Sequence, residues 1–269
     1  VVLSRGLGDV YKRQIITGAG LPTIRSATGR RVWLHCIGMG MFTNAIPFSL
    51  LAWGQQHVTS SFAGITMAVV PLLVLPLSHF LVPGERLTLK RTIGFSIGFA
   101  GVVFLVGGEQ LFSGSAANKG TPMLTAQIAC VMASCCYAIG SIITRLCPPV
   151  NTISFAASGL LVATVILLPL ALITSGVPEN VSKISVSGLV FLGLFPTGLA
   201  TILLTIIIKR AGPPFLSLVN YQVPVWAVII GLTLLGEAIP GHFFISLAII
   251  LAGLSLSLIH ISEPTRQHH

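Results

Sequence analysis

The chain has 269 residues, of which 54% are hydrophobic and only 8% charged. A soluble domain carries about 25% charged residues, so this chain has too few charges to cover a water-facing surface, and lipid is the expected solvent. The formal net charge of +9 does not indicate nucleic-acid binding, because the basic residues fall in short clusters between apolar runs rather than on one face with interleaved aromatics.

In chain order, residues 1–14 (VVLSRGLGDVYKRQ) come first, and residues 260–269 (HISEPTRQHH) close the chain. Both segments are more polar than the chain between them. Both resemble linker-derived sequence and are set aside as expected non-native tails. Between them lie stretches without Asp, Glu, Lys or Arg: 32–84, 92–108, 120–144, 146–178, 184–208, 211–236 and 238–259. A helix needs about 20 apolar residues to cross the hydrocarbon core. The first stretch holds two crossings, divided by the polar turn Gln55-Gln56-His57-Val58-Thr59-Ser60-Ser61. Eight spans are predicted: 34–54, 62–82, 92–108, 123–143, 152–174, 186–208, 214–235 and 242–259. The third is short, and Lys90 and Arg91 can lengthen it by snorkelling. Barrel strands would alternate apolar and polar over about 10 residues. These runs are apolar throughout, so the fold class is all-α, a polytopic membrane helix bundle.

The loops set the orientation. With the segment before the first span inside, the cytoplasmic connections carry Arg25, Arg30, Arg31, Arg86, Lys90, Arg91, Arg145, Lys209 and Arg210, and the external ones only Lys119 and Lys183. That bias obeys the positive-inside rule. The five cysteines, Cys36, Cys130, Cys135, Cys136 and Cys147, lack metal-ligand spacing and read as small apolar filler. No metal or cofactor is expected.

The chain also repeats itself. Gly40-Met41-Phe42, Phe62, Pro71, Gly84-Glu85 and Ala100-Gly101 recur in order as Gly193-Leu194-Phe195, Phe215, Pro224, Gly236-Glu237 and Ala252-Gly253, with one gap. The partners are the first and sixth spans, the second and seventh, and the third and eighth. Each pair is separated by an odd number of crossings, so the copies are inverted. The loop charges agree. Gln56-His57, placed outside, aligns with Lys209-Arg210, placed inside. Inverted repeats mark many transporters, with the solute site near the midplane where the repeats meet.

These residues carry a family resemblance. A Gly-Phe-containing helix, a Pro-bearing helix, the loop Gly84-Glu85-Arg86-Leu87-Thr88 with its counterpart Gly236-Glu237, a final Ala-Gly helix and the segment Ser217-Leu218-Val219-Asn220-Tyr221-Gln222-Val223-Pro224 together resemble the EamA-type drug/metabolite transporters over about residues 25–259. The resemblance implies ten helices in two inverted five-helix halves with both termini cytoplasmic. Only three helices fall in the first copy (15–110), against five in the second (121–259). The resemblance therefore implies two further helices before Arg25 and a chain that is a fragment, its first repeat incomplete.

Polar residues within spans are the candidate solute ligands. Asn44 lies one turn before Pro47 and can bond either a solute or a neighbouring helix. Asn220, Tyr221 and Gln222 precede Pro224, and one or two of them can face a cavity or bond another helix; Trp226 can add an apolar wall. Tyr137 in the fourth span is a weaker candidate, as is Thr197 in the sixth. Pro47, Pro71 and Pro224 are expected to kink their helices. Glu85 and Glu237 are read as structural, capping helices or pairing with Arg. The row Gly94, Gly98, Gly101 is read as packing within the bundle ahead of making a homodimer, which stays open.

No ionisable Asp, Glu, Lys or Arg falls within any span, which leaves no midplane carboxylate relay and argues against an anionic phosphate solute. No G-x-x-x-x-G-K-[ST] loop is present. The sequence thus points to a secondary transporter of the inner membrane, not an enzyme. Its expected action is to move small metabolites, amino-acid-like or drug-like, by alternating access, most naturally outward. The expected partners are that solute and the bilayer. The alternatives are a membrane scaffold and, more remotely, a membrane enzyme, for which no convergent catalytic groups are visible.

Overall fold

A computed structural model describes residues 21–22, 26–84, 87–112, 121–176, 182–217 and 222–258. All regular structure among them is helical: α1 (Ala27–Met39), a π-helical segment π1 (Gly40–Ala45), α2 (Ile46–Gly54), α3 (Ser60–Thr66), α4 (Val69–Leu81), α5 (Leu89–Phe112), α6 (Thr121–Leu146), α7 (Thr152–Ser175), α8 (Lys183–Leu192), a second π-helical segment π2 (Gly193–Leu199), α9 (Ala200–Ala211), α10 (Pro213–Ser217), α11 (Gln222–Thr233) and α12 (Gly241–Leu258). Among the described residues six helical stretches are long and apolar enough to cross a membrane, and the shorter apolar helices Gln222–Thr233 and Gly241–Ser257 fall at the seventh and eighth expected spans. The chain is therefore a polytopic bundle, as the composition requires.

The second predicted span is interrupted: it divides into α3 and α4 at Met67 and Ala68. Pro71 is the third residue of α4 and has no N–H to give the carbonyl of Met67; Val70 N–H takes that carbonyl instead at 3.1 Å. Met67 and Ala68 likewise bond three residues back, to Gly64 and Ile65. The Thr66 carbonyl freed by this tightening accepts the Ser134 hydroxyl of α6 at 2.8 Å. Pro224 is likewise the third residue of α11.

The chain forms two compact units. The first comprises residues 1–46 and 139–216. Its core gathers Val32, Cys36 and Met39 of α1 with Val150 and with Phe155 of α7. Helix α7 starts on Asn151, whose side chain accepts the N–H groups of Ile153 and Ser154 at 2.9 and 3.1 Å. It lies so close to the first span that a Cβ on Gly40 would come 2.5 Å from the Gly159 carbonyl oxygen. Lys209 Nζ sits 4.8 Å from the Phe155 ring centroid. At the end of α9, an Arg145 guanidinium nitrogen donates to the carbonyls of Lys209 at 2.7 Å and Ile208 at 3.3 Å, groups a helix C-terminus leaves unpaired.

The second unit comprises residues 47–138 and 217–269. Its closest packing joins α5 to α12. A Cβ on Gly94 would overlap the Gly253 carbonyl, one on Gly98 would come 2.5 Å from Leu72, and one on Gly101 would come 2.8 Å from Ile250. The small-residue row of α5 thus packs within this unit. Helices α3 and α11 meet in the same way, where a Cβ on Gly64 would overlap that of Ala227. The main core forms around these contacts from Phe62, Ile65, Val69, Leu72, Leu105, Cys130, Val228, Phe243, Ile250 and Leu254.

Candidate functional site

The expected copies carry matching features at one register. The π-helical segments begin at Gly40 and Gly193, and helices α3 and α10 begin at Ser60 and Pro213. One offset relates both pairs. It is the offset at which Gly40-Met41-Phe42 repeats as Gly193-Leu194-Phe195 in the sequence. A π-turn is rare and favours functional positions. Two in matched places, each next to a proline, are a feature of the duplicated unit.

The local chemistry of each segment follows from its proline. In π1, Pro47 cannot donate to the Thr43 carbonyl, and Ile46 N–H reaches five residues back to Met41. In π2, Pro196 cannot donate to the Leu192 carbonyl, and the Thr197 hydroxyl takes that carbonyl instead at 2.9 Å. Asn44 holds the position in π1 that Thr197 holds in π2. Its side chain is 3% exposed, and its amide nitrogen has no hydrogen-bond partner among the described residues. The neighbouring Thr43 hydroxyl, on a residue 7% exposed, also lacks one. It faces Gly140 so closely that a Cβ there would overlap the hydroxyl oxygen. A buried polar group without a partner costs about 1–3 kcal/mol. Each is a buried donor that has no acceptor among the described residues.

The other expected ligands are distributed differently. Pro47, Pro71 and Pro224 are buried. Tyr137 is half-buried against the cluster of Val70, Val74 and Ala138. Gln222 begins α11 and is exposed, and Trp226 on the same helix is 57% exposed. Asn220 and Tyr221 lie outside the described residues, as does Glu85. The five cysteines are free thiols. Among the described residues no group of three His, Cys, Asp or Glu side chains could hold a metal.

Glu237 has a role that sequence reasoning reaches only as a category. Its carboxylate accepts the Ser60 N–H at 2.7 Å, the Ser61 N–H at 3.0 Å and the Ser61 hydroxyl at 2.5 Å. Thr59 accepts the Phe62 N–H at 3.2 Å, so the start of α3 is fully capped. The loop that carries Glu237 is shaped for this. Gly236, at φ 63°, ends α11 in the left-handed region, and Glu237 N–H bonds the Gly231 carbonyl at 2.9 Å. Gly231 must lack a side chain, since a Cβ there would overlap the Ser61 hydroxyl and come 2.6 Å from the Glu237 carboxylate. Burial pushes the Glu237 carboxyl up, but the hydrogen bonds from Ser61 and Ser60 outweigh it and hold the group below its ordinary range. The Thr59-Ser60-Ser61 run is legible as a helix start. Its partner, 176 residues from Ser61, is not.

Apolar helices long enough to span, joined by basic loops and interrupted by matched π-helical segments, define a multi-pass helical membrane protein. The chain belongs to the EamA-like transporter family, whose pattern matches residues 16–107 and 124–259. Among its relatives, the aromatic amino acid exporter YddG of Ancylobacter novellus is 31% identical over 90% of this chain and 80% of its own length. The inner membrane transporter YedA of Escherichia coli (strain K12) is 28% identical over 88% of this chain and 72% of its own. The transporter YoaV of Bacillus subtilis (strain 168) is 24% identical over 80% and 72%. A solved crystal structure superposes with a TM-score of 0.62 at 24% identity, covering 94% of this chain and 83% of that one, which shows a shared fold.

Proposed function

We propose that this chain is a secondary transporter that moves small, uncharged-headed or zwitterionic metabolites, amino-acid-like or drug-like, outward across the inner membrane by alternating access. The observation that carries the reading is the matched interruption of the first and sixth spans, π1 with π2. Irregular backbone at membrane depth persists where it is buried in protein or lines a cavity. Transporters with inverted repeats place their solute sites at such broken helices. The two copies, 15–110 and 121–259, would then rock about one another around the solute.

The chemistry of the spans favours a solute recognised by neutral groups. The candidates are the Asn44 amide with the Thr43 hydroxyl, then Gln222, Asn220 and Tyr221, with Trp226 and Tyr137 as aromatic surfaces. An aromatic amino acid exporter among the relatives supports that class and the outward direction. The full chain in proteoliposomes is expected to pass aromatic or aliphatic neutral amino acids, with Asn44→Ala lowering flux at least tenfold. A panel of amino acids and amphiphilic drugs that gives no flux above protein-free vesicles would remove the reading for those solutes.

A further inference from the structure

Glu237 belongs to the second sequence copy, and the backbone it holds belongs to the first. Helix α3 runs inward from the external turn at residues 55–59, and α11 runs outward to the external loop at 234–240. Both lie in the external halves of their spans, and they pack directly on each other at Gly64 and Ala227. The outer end of this contact is closed by the Glu237 carboxylate, seated beside Gly231 and holding Ser60 and Ser61. Its three hydrogen bonds are charge-assisted, and the start of α3 adds the favourable end of a helix dipole. Just inward of Ser61, the Phe62 ring lies 5.6 Å from that of Phe243 of α12, in the same core as Val228 of α11 and Cys130 of α6. Parting α3 from α11 would have to break the carboxylate contacts first and would uncover this core next.

We infer that Glu237 is a positioning residue that latches the external half-helix α3 to α11, so that its carboxylate must release Ser60 and Ser61 each time the external side opens. The inference rests on the transport reading for its purpose, but the latch itself is a property of this one unit and can be tested without any solute. Its three contacts come from three different groups, two backbone and one hydroxyl, so partial weakening is available by substitution.

The native thiols supply the assay. Cys130 is 0% exposed within the core beneath the latch, whereas Cys36 is 0% exposed in the other unit, among Met39 and Phe155. A membrane-impermeant maleimide is applied to right-side-out vesicles, and labelling at each cysteine is followed by peptide mass spectrometry. Glu237→Ala is expected to raise the external labelling rate of Cys130 about tenfold or more, the scale of one or two charge-assisted hydrogen bonds. Ser61→Ala is expected to raise it severalfold, and Cys36 to stay at its parental rate in both. The same reagent applied from the cytoplasmic side is expected to show no change at Cys130. Should Glu237→Ala fail to reach the membrane, Glu237→Gln keeps the shape and loses the charge and one of the two acceptor oxygens, and it is expected to fall between the other two. An unchanged Cys130 rate in the Glu237 variants would overturn the latch. So would a parallel rise at Cys36, which would mean general loosening. If the parent passes no solute while Glu237→Ala still exposes Cys130, the latch stands and the transport reading fails.

Discussion

Gly253→Ala is a one-methyl change whose cost the backbone geometry dictates. The added Cβ would overlap the amide nitrogen of Gly98 and lie 2.6 Å from the Gly94 carbonyl oxygen and 2.8 Å from Gly98 Cα. All three atoms are backbone, so no side chain can rotate away. Restoring an ordinary contact of about 3.5 Å moves α5 and α12 apart by about 1 Å along their seam, whose helices carry the core residues Leu105, Ile250 and Leu254. Overpacking of this kind costs about 1–3 kcal/mol, and a seam built on backbone contact belongs at the upper end. Against this, alanine in a helix interior gains about 1 kcal/mol over glycine. The net expectation is a loss of about 2 kcal/mol. Gly188→Ala in α8 supplies the control, because nothing lies within 4 Å of a Cβ there and only the helix gain of about 1 kcal/mol remains. Reversible unfolding of both variants in mixed detergent micelles, followed by tryptophan fluorescence, measures the contrast. If Gly253→Ala is as stable as Gly188→Ala, the close packing of α5 on α12 is not what holds this unit together.

Three further outcomes rest on single groups. Asn44→Leu removes a buried amide that has no partner, so the variant is expected to gain about 1–2 kcal/mol of stability while losing solute flux; a drop in both would mean that Asn44 bonds within the protein. Asn151→Ala deletes the side-chain oxygen that caps α7 and is expected to cost about 1 kcal/mol in the same unfolding assay, with a loss below about 0.3 kcal/mol counting against the cap. Glu237 gives a pH signature. Its folded-state ionisation is depressed, so its stabilisation is complete above the ordinary carboxylate range and is lost as pH falls through the lowered folded value. Acidifying below that range should therefore lower the parent's stability more than that of Glu237→Gln, and identical acid profiles for the two would contradict the assignment.

Much of the fold is legible because lipid is a simple solvent. Charge-free runs of about 20 residues have one stable form in it, and the basic loops between them orient it. The repeat is legible for a different reason: Gly40, Phe62 and Pro71 recur in order because each meets a local geometric need that both copies share. How each helix handles its proline stays hidden. Nothing at the level of pattern distinguishes the clean break after Thr66, where Ser134 takes the freed carbonyl, from the widened turns at Gly40 and Gly193. Hydropathy is blind to both, and it reads 62–82 as a continuous span. The candidate site is legible in the same uneven way. Asn44 stands out as polar in an apolar span and is buried without a partner; Trp226 reads as a wall and is more than half exposed.

From its residues alone this chain has its solvent and its helices decided, and its sidedness and duplication expected, since each of these depends on composition and local spacing. The tertiary structure alone decides which donors and acceptors meet. That Glu237 holds Ser61 across 176 residues, that Gly231 and Gly253 must be bare, and that the Asn44 amide is left unpaired are all consequences of helices packed against one another. Hydrogen bonds are short and directional, so their partners are chosen by three-dimensional proximity, to which a linear pattern of apolar and polar residues gives no access.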